Sequence, residues 1–544
     1  MFKNLDSLDL IVIASYFVLV FAIAFFMVRK GKKNSGASEN YFLGGRNLGW
    51  FAIGASLFAS NIGSEHLIGL AGAGAAGDFA AGQFEILAAF MLLLLGWVFV
   101  PFYLKSGVFT MPEFLEKRYD KWSRGYLSWV SIIAYILTKI SVTIAAGGIV
   151  FTSLLGISFW TGAIIIVVAT GIYTVFGGLK AVVYTDLMQM FVLVGGSIAL
   201  CYYGFQALDG GWTELNQRVD NSYFNLWRPF KDPDFPWTGI IFGAPILGVW
   251  YWCTDQFIVQ RVLAAKNLSH ARKGTIFAGY LKMLPLFIFM VPGVLAYALS
   301  TGPDPALSFP VEDGKPVYDA ALPIMTLQLL PAGVKGLVVA GLLAALMSSL
   351  SSVFNSCSTL FTIDIYKKYF PETKEKKLVL VGQLATVALV GLGLAWIPLL
   401  KIIEGGLFQK LQSIQAYISP PIAAVFLLGI FNKKLNAKGA KYALLTGFFI
   451  GVLRLVMELM KSDLKGIAFA FADMNFLHFA LLLFVICSAV LLVISANSSQ
   501  GIKANISNLT YSTGNQVSFK DEGLNIVLSF GLVICIIALW LYFS

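Results

Sequence analysis

The chain has 544 residues, of which 58% are hydrophobic and only 12% charged. A soluble protein of this length could not cover its surface with so few charges, so soluble classes are excluded. The net charge of +10 does not indicate nucleic acid: Lys and Arg cluster between apolar runs, as in Arg29-Lys30-Gly31-Lys32-Lys33 and Lys367-Lys368, and no basic face is left for a polynucleotide.

About 14 apolar segments reach the roughly 20 residues needed to span a bilayer. In chain order they are 9–29, 49–76, 81–103, 126–155, 159–176, 183–206, 239–262, 273–299, 332–363, 378–400, 411–431, 440–461, 475–495 and 525–543. They show no alternation of period two, so an all-α polytopic membrane protein is expected rather than a barrel. No small-residue cleavage site follows the first run, which reads as a retained span. With the N-terminus outside, the basic loops Arg29 to Lys33, Lys117 to Arg124, Arg261 to Lys273, Lys367 to Lys377 and Lys433 to Lys441 all fall inside, and the C-terminus falls outside. Loops 207–238 and 300–331 then lie outside, and polar 496–524 reads as an inner linker. Cys201, Cys253, Cys357, Cys487 and Cys535 stand singly in apolar runs and read as packing residues.

Two segments should break. Asn61-Ile62-Gly63-Ser64-Glu65-His66 lies in the middle of the second, where polar side chains need partners and Gly lets the backbone unwind. Gly243-Ala244-Pro245-Ile246-Leu247-Gly248 interrupts the seventh, five spans later. Interrupted helices at matching positions of two halves are the mark of an inverted-repeat transporter with its site at mid-membrane. Two kinks for close packing would leave the same trace.

The strings decide between these. Gly54 to Gly74, Trp250-Tyr251-Trp252-Cys253-Thr254-Asp255-Gln256 through His270, Leu346-Met347-Ser348-Ser349-Leu350-Ser351-Ser352-Val353-Phe354-Asn355-Ser356 and Ser419-Pro420-Pro421-Ile422-Ala423-Ala424-Val425-Phe426 closely resemble the sodium/glucose cotransporter branch of the sodium/solute symporter family. The resemblance runs from about residue 40 to about 460 and implies LeuT-type inverted five-helix repeats. The expected division is 1–48 first helix and cytoplasmic loop, 49–206 first repeat, 207–238 extracellular loop, 239–431 second repeat, and 432–544 peripheral helices.

Sodium is a hard cation that takes oxygen ligands. By resemblance, its first site is formed by the carbonyls of Ala59, Ile62 and Ala345 and the hydroxyls of Ser348 and Ser349. A second site, present in some members, maps to Asp186, Ser351 and Ser352; Asp186 as a helix cap is the plainer alternative. One or two sodium ions are therefore expected. Sugar contacts map to Asn61, His66, Glu85, Tyr251, Trp252, Lys282 and Gln412. Tyr251 maps to the inner gate, and Leu70, Phe84 and Phe408 to the outer one. A Glu85–Lys282 structural pair competes with direct sugar binding. Lys139, His270, His478 and an Arg454–Glu458 i,i+4 pair read as structural.

Where the family often carries Thr or Asn before the Trp-Tyr-Trp run this chain has Gly248, and Glu65 stands where a small residue is usual. The departure at 248 leaves open which sugar or polyol is preferred. With three His, no HExxH and no GxSxG, an enzyme has no visible nucleophile or metal. The expectation is a non-enzymatic, multi-pass plasma-membrane importer of a monosaccharide, driven by sodium through alternating access. Its partners are the sugar, sodium and the lipid bilayer, with no nucleic acid and no obligate protein partner. The short loops lean towards a bacterial inner membrane. Myo-inositol or another polar solute, and proton coupling through Glu85 and Asp186, are the alternatives.

Overall fold

The computed structural model describes residues 4–30, 37–301, 305–396, 407–498, 506, 508–511 and 522–544; at positions 30, 65, 149, 396 and 407–411 only the backbone is described. The long helices, in chain order, are α1 (Ser7–Lys30), α2 (Trp50–Asn61), α3 (Ser64–Ala75), α4 (Phe79–Ser106), α5 (Lys121–Leu154), α6 (Phe159–Leu208), α7 (Gly239–Thr254), α8 (Gln256–Leu263), α9 (Leu268–Ser300), α10 (Val334–Tyr369), α11 (Glu375–Trp396), α12 (Leu407–Phe431), α13 (Ala437–Leu459), α14 (Phe476–Ala496) and α15 (Gly523–Tyr542).

Eleven of these, among the described residues, are long and apolar enough to cross a membrane. Within the described residues the expected segments fall on helices, but four of them fall on something other than one plain span. Segments 159–176 and 183–206 are both carried by the 50-residue α6, which turns at Gly178. Gly178 has φ +57, and a Cβ there would lie 2.4 Å from the Tyr41 carbonyl oxygen, so only glycine fits. Segment 49–76 is divided into α2 and α3, and segment 239–262 into α7 and α8.

The first break lies where the sequence places it. Ile62 leaves the helix (φ −82, ψ 91), and the Gly63 N–H turns to Asn61 O at 3.1 Å rather than to Ala59 O four residues back. The second does not. Through Gly243–Gly248 the chain stays helical: a wide π turn over Gly239–Gly243 accommodates the missing N–H of Pro245, which sits in the first turn of the stretch Ala244–Gly248. The break comes later, at Asp255 (φ −78, ψ 128), whose carboxylate accepts the Phe257 N–H at 3.2 Å and so caps α8. A second π turn, Val249–Thr254, leads into it and carries Tyr251 and Trp252.

Each half thus opens with a broken helix followed by four spans: α2/α3, α4, α5 and the two arms of α6; then α7/α8, α9, α10, α11 and α12. The most extensive packing is between α6 and α10, and α10 is the most enclosed span, 94% of its apolar window being buried. α1, α11, α13, α14 and α15 ring this centre with much of their surface exposed. Loop 207–238 contains a short helix, Gly211–Arg218, and loop 300–331 a hairpin of β1 (Val311–Glu312) and β2 (Lys315–Pro316). The linker 496–524 falls largely outside the described residues.

Some basic residues assigned to inner loops are buried. Arg261 and Arg272 are each 1% exposed, and Arg118, 2% exposed, donates to the carbonyls of Gly429, Asn432 and Leu435 at the end of α12. Arg118 thus caps a helix end, while Arg261 and Arg272 are ion-paired with Asp186 (3.4 Å) and Glu522 (3.0 Å).

Candidate solute and ion site

The two broken helices, α4, α5, α10 and α12 enclose one cavity. Its lining includes Ser60, Asn61 and His66 from the first break, Glu85 from α4, and Tyr251 and Trp252 from α7. Ser349 of α10 and Gln412 of α12 also line it. Sequence spacing alone could not bring these together; the fold does so by closing α12 over the breaks. Asn61 Nδ2 donates to the Tyr251 hydroxyl at 2.8 Å, bridging the first broken helix to the second. Asn61 Oδ1 is buried with no hydrogen-bond partner among the described residues, an acceptor left over for a solute hydroxyl.

Lys282 does not line the cavity. Its Nζ lies 2.5 Å from Glu85 Oε2, and His66 Nε2 lies 3.9 Å from Glu85 Oε1. The ion pair expected as an alternative therefore exists, with Lys282 standing behind Glu85 and orienting it. Phe84 lines the cavity mouth and stacks on Phe476 with ring centroids 6.4 Å apart. Leu70 is fully buried on α3 and is not part of the lining, and the side chain of Phe408 lies outside the described residues.

Around the first break, Ser349 Oγ donates to Ser60 O at 3.3 Å, so α10 touches the unwound strand. The Gly63 N–H, bonded to Asn61 O at 3.1 Å, is no longer turned to the carbonyl of Ala59 four residues back. Ser348 Oγ instead donates to Asp186 Oδ1 at 2.7 Å. Asp186 Oδ2 accepts Ser56 Oγ at 2.6 Å and lies 3.4 Å from Arg261 Nη2. Arg261 also donates to Ser352 Oγ and Phe257 O. Ser351 donates back to Ser348 O at 3.0 Å. Asp186 sits within α6, well past the Gly178 turn, so it caps no helix and that alternative is withdrawn.

Five residues escaped sequence reasoning. Lys139, read as structural, lines the cavity: its Nζ is 3.2 Å from Asp255 Oδ2 and sits over the rings of Phe257 (3.6 Å) and Tyr251 (4.2 Å). It lies in a π turn of α5, Tyr135–Ile140, which no local propensity announces. Asp255 and Arg261 each stand beside an expected residue, and an ionisable pair six apart after Trp-Tyr-Trp was the available signal. Gln415 and Met91 also line the cavity. The expected Arg454–Glu458 pair is not formed: Arg454 donates to Met474 O at 2.9 Å, and Glu458 accepts the Tyr417 hydroxyl. His270 accepts the Trp50 N–H at 3.2 Å and His478 meets Thr238 Oγ1 at 2.8 Å, both structural contacts.

A family model described as Sodium:solute symporter family matches residues 41–447. The sodium/glucose cotransporter 4 of Mus musculus is 41% identical, with 94% of this chain and 78% of the relative aligned. The sodium/glucose cotransporter 1 of Ovis aries is 40% identical over 96% of this chain and 83% of the relative. The sodium/myo-inositol cotransporter of Homo sapiens is 37% identical over 95% of this chain and 77% of the relative. Among solved structures, a Na+-coupled sialic acid symporter in a substrate-bound outward-open state superposes with a TM-score of 0.79 at 21% identity, covering 92% of this chain and 99% of that one. A nucleobase-cation-symport-1 family transporter does so at 0.52 and 13% identity, covering 88% and 99%. These likenesses show the fold: helical, LeuT-type, and multi-pass.

Proposed function

We propose, from the premise that this chain belongs to the sodium:solute symporter family and is a sodium-coupled symporter, that its solute is a monosaccharide of glucose or galactose type, imported across the plasma membrane. The observation that carries the reading is the cavity itself, where Asn61, His66, Glu85 and Gln412 converge from four helices beside the aromatic faces of Tyr251 and Trp252. A sugar's ring of hydroxyls must exchange water for protein partners on entering the bilayer, and such a mixed set of donors and acceptors supplies them. The relatives support the same class, sodium/glucose and sodium/myo-inositol cotransporters both among them. Myo-inositol, a ring of hydroxyls without a ring oxygen, suits the same groups and is the second reading.

Tyr251, held by Asn61 on one side and by the Lys139 ammonium on the other, is the inner gate of this proposal, and Phe84 part of the outer one. Sodium takes the Ala59, Ile62 and Ala345 carbonyls with Ser348 and Ser349. Ser348 belongs also to the Asp186 set, so an ion that turns the Ser348 hydroxyl to itself releases Asp186 Oδ1 for a second ion with Ser351 and Ser352. Each ion descending 100 mV contributes about 2.3 kcal/mol, more than a tenfold gain in accumulation.

Half-saturation measurements test the assignment. Glu85→Ala and Gln412→Ala are expected to raise the solute concentration for half-maximal uptake at least about tenfold, each removing a buried hydrogen bond, with sodium activation little changed. Ser349→Ala is expected to do the reverse. Unaltered sodium activation in Ser349→Ala would remove the first ion site from this position.

A further inference from the structure

The cavity's hydrogen-bonding groups are unevenly distributed. α4 and α7 supply Glu85, Tyr251 and Trp252, but at the corner where Met91 of α4 meets Gly248 of α7 the lining is apolar, with Leu87 and Ala88 on one helix and Ala244 and Leu247 on the other. These recur at helical spacing (87, 88, 91 and 244, 247, 248), so each helix turns an apolar strip to the cavity, next to Glu85 on α4 and Tyr251 on α7. Their backbone groups lie within helical turns and are engaged there. Met91 fills the middle of the corner: a Cβ on residue 248 would lie 2.6 Å from its Cγ and 3.1 Å from its Sδ. Glycine at 248 and methionine at 91 thus occupy each other's space. The thioether donates nothing and accepts weakly.

We propose that Met91, seated across Gly248, is a specificity-determining residue that selects a solute with an apolar edge: a cyclic polyol whose position facing this corner is a C–H or methylene rather than a hydroxyl, as in a monodeoxy sugar. The proposal rests on the sugar reading above and adds which side of the ring goes unrecognised. A hydroxyl turned into this corner gives up water and gains no partner. Loss of that hydroxyl therefore costs little, whereas loss of one facing Asn61, Glu85 or Gln412 leaves a buried protein group unpaired. The same logic makes the methionine active in rejection: its thioether packs well against C–H and poorly against O–H.

The test is competition against sodium-driven uptake of labelled glucose by the purified full chain in proteoliposomes, with each monodeoxyglucose in turn. One analogue is expected to compete within about threefold of glucose or better, and the others to lose more than about tenfold. In Met91→Gln, which has nearly the same length and brings an amide to the corner, the tolerated analogue is expected to fall behind glucose by about tenfold. Sodium-driven uptake in which every analogue loses more than tenfold overturns the proposal while leaving the sugar reading intact, as does a transporting Met91→Gln with an unchanged ranking. The analogue series on the unmodified protein decides the matter even where the variant does not fold. Absence of sodium-driven uptake of any hexose would overturn the sugar reading, and this proposal with it.

Discussion

Lys139 and Asp255 show how much of a residue's role is invisible before the fold is known. Both are nearly buried and lie 116 positions apart, and each is tolerable in the membrane only because the other is there. Removing one partner leaves a buried charge uncompensated, at about 3–5 kcal/mol. Lys139→Met is therefore expected to lower the melting temperature in detergent sharply, and Lys139→Met with Asp255→Asn, which keeps an acceptor for the Phe257 N–H, to recover most of the loss. A double variant as unstable as the single would show that the pair is not the reason either residue is present. Asn61, His66, Glu85 and Gln412 were legible because polar groups at bilayer depth are expensive and demand a purpose. Lys139 is equally expensive, but the sequence shows neither its partner nor the π turn that aims it inward. Arg261 was lost for another reason: it follows the apolar stretch directly and reads as a loop charge, while in the fold it lies against Asp186.

At the scale of the element, the first break was readable because Gly63 is flanked by polar residues that no lipid-facing helix would carry. The second was misplaced by some seven residues. Pro245 and its glycines advertise irregularity, but a wide turn absorbs it, and the real break is an N-cap at Asp255. The turn at Gly178 is a backbone requirement of the same kind. Gly178→Ala is expected to cost about 1–2 kcal/mol for its left-handed conformation alone, with more from the clash at Tyr41. The measurement is the denaturation midpoint of the purified protein. The first helix, outside both repeats, makes a further contact no pattern predicts. Asp9 of α1, fully buried, accepts the N–H groups of Gly333 and Gly336 at 2.7 Å each, clamping the start of the helix that carries Ser348 and Ser349. Asp9→Ala is expected to destabilise by about 3 kcal/mol, since two charge-assisted bonds are lost and buried donors are left unpaired. Loss of thermal stability in the same assay checks it.

For the whole molecule, apolar length gave the polytopic membrane class, while the transporter architecture came from the resemblance carried by the strings at 54–74, 250–270, 346–356 and 419–426, the interrupted helices alone leaving packing kinks open. The ion count is the finest property at this scale. On the proposal that Asp186 helps hold a second ion, Asp186→Asn is expected to reduce the sodium-to-solute ratio from two to one, read from the reversal potential of solute-driven current. A ratio of one in the unmodified protein would confine coupling to the first site, and a ratio of two kept by Asp186→Asn would take Asp186 out of the second.

The most direct test of the central claim is uptake of labelled glucose, galactose and myo-inositol into proteoliposomes under parallel inward gradients of sodium, potassium or protons. Accumulation of a hexose under the sodium gradient alone is the predicted result. Accumulation driven equally well by protons, or of none of the three under sodium, would contradict it.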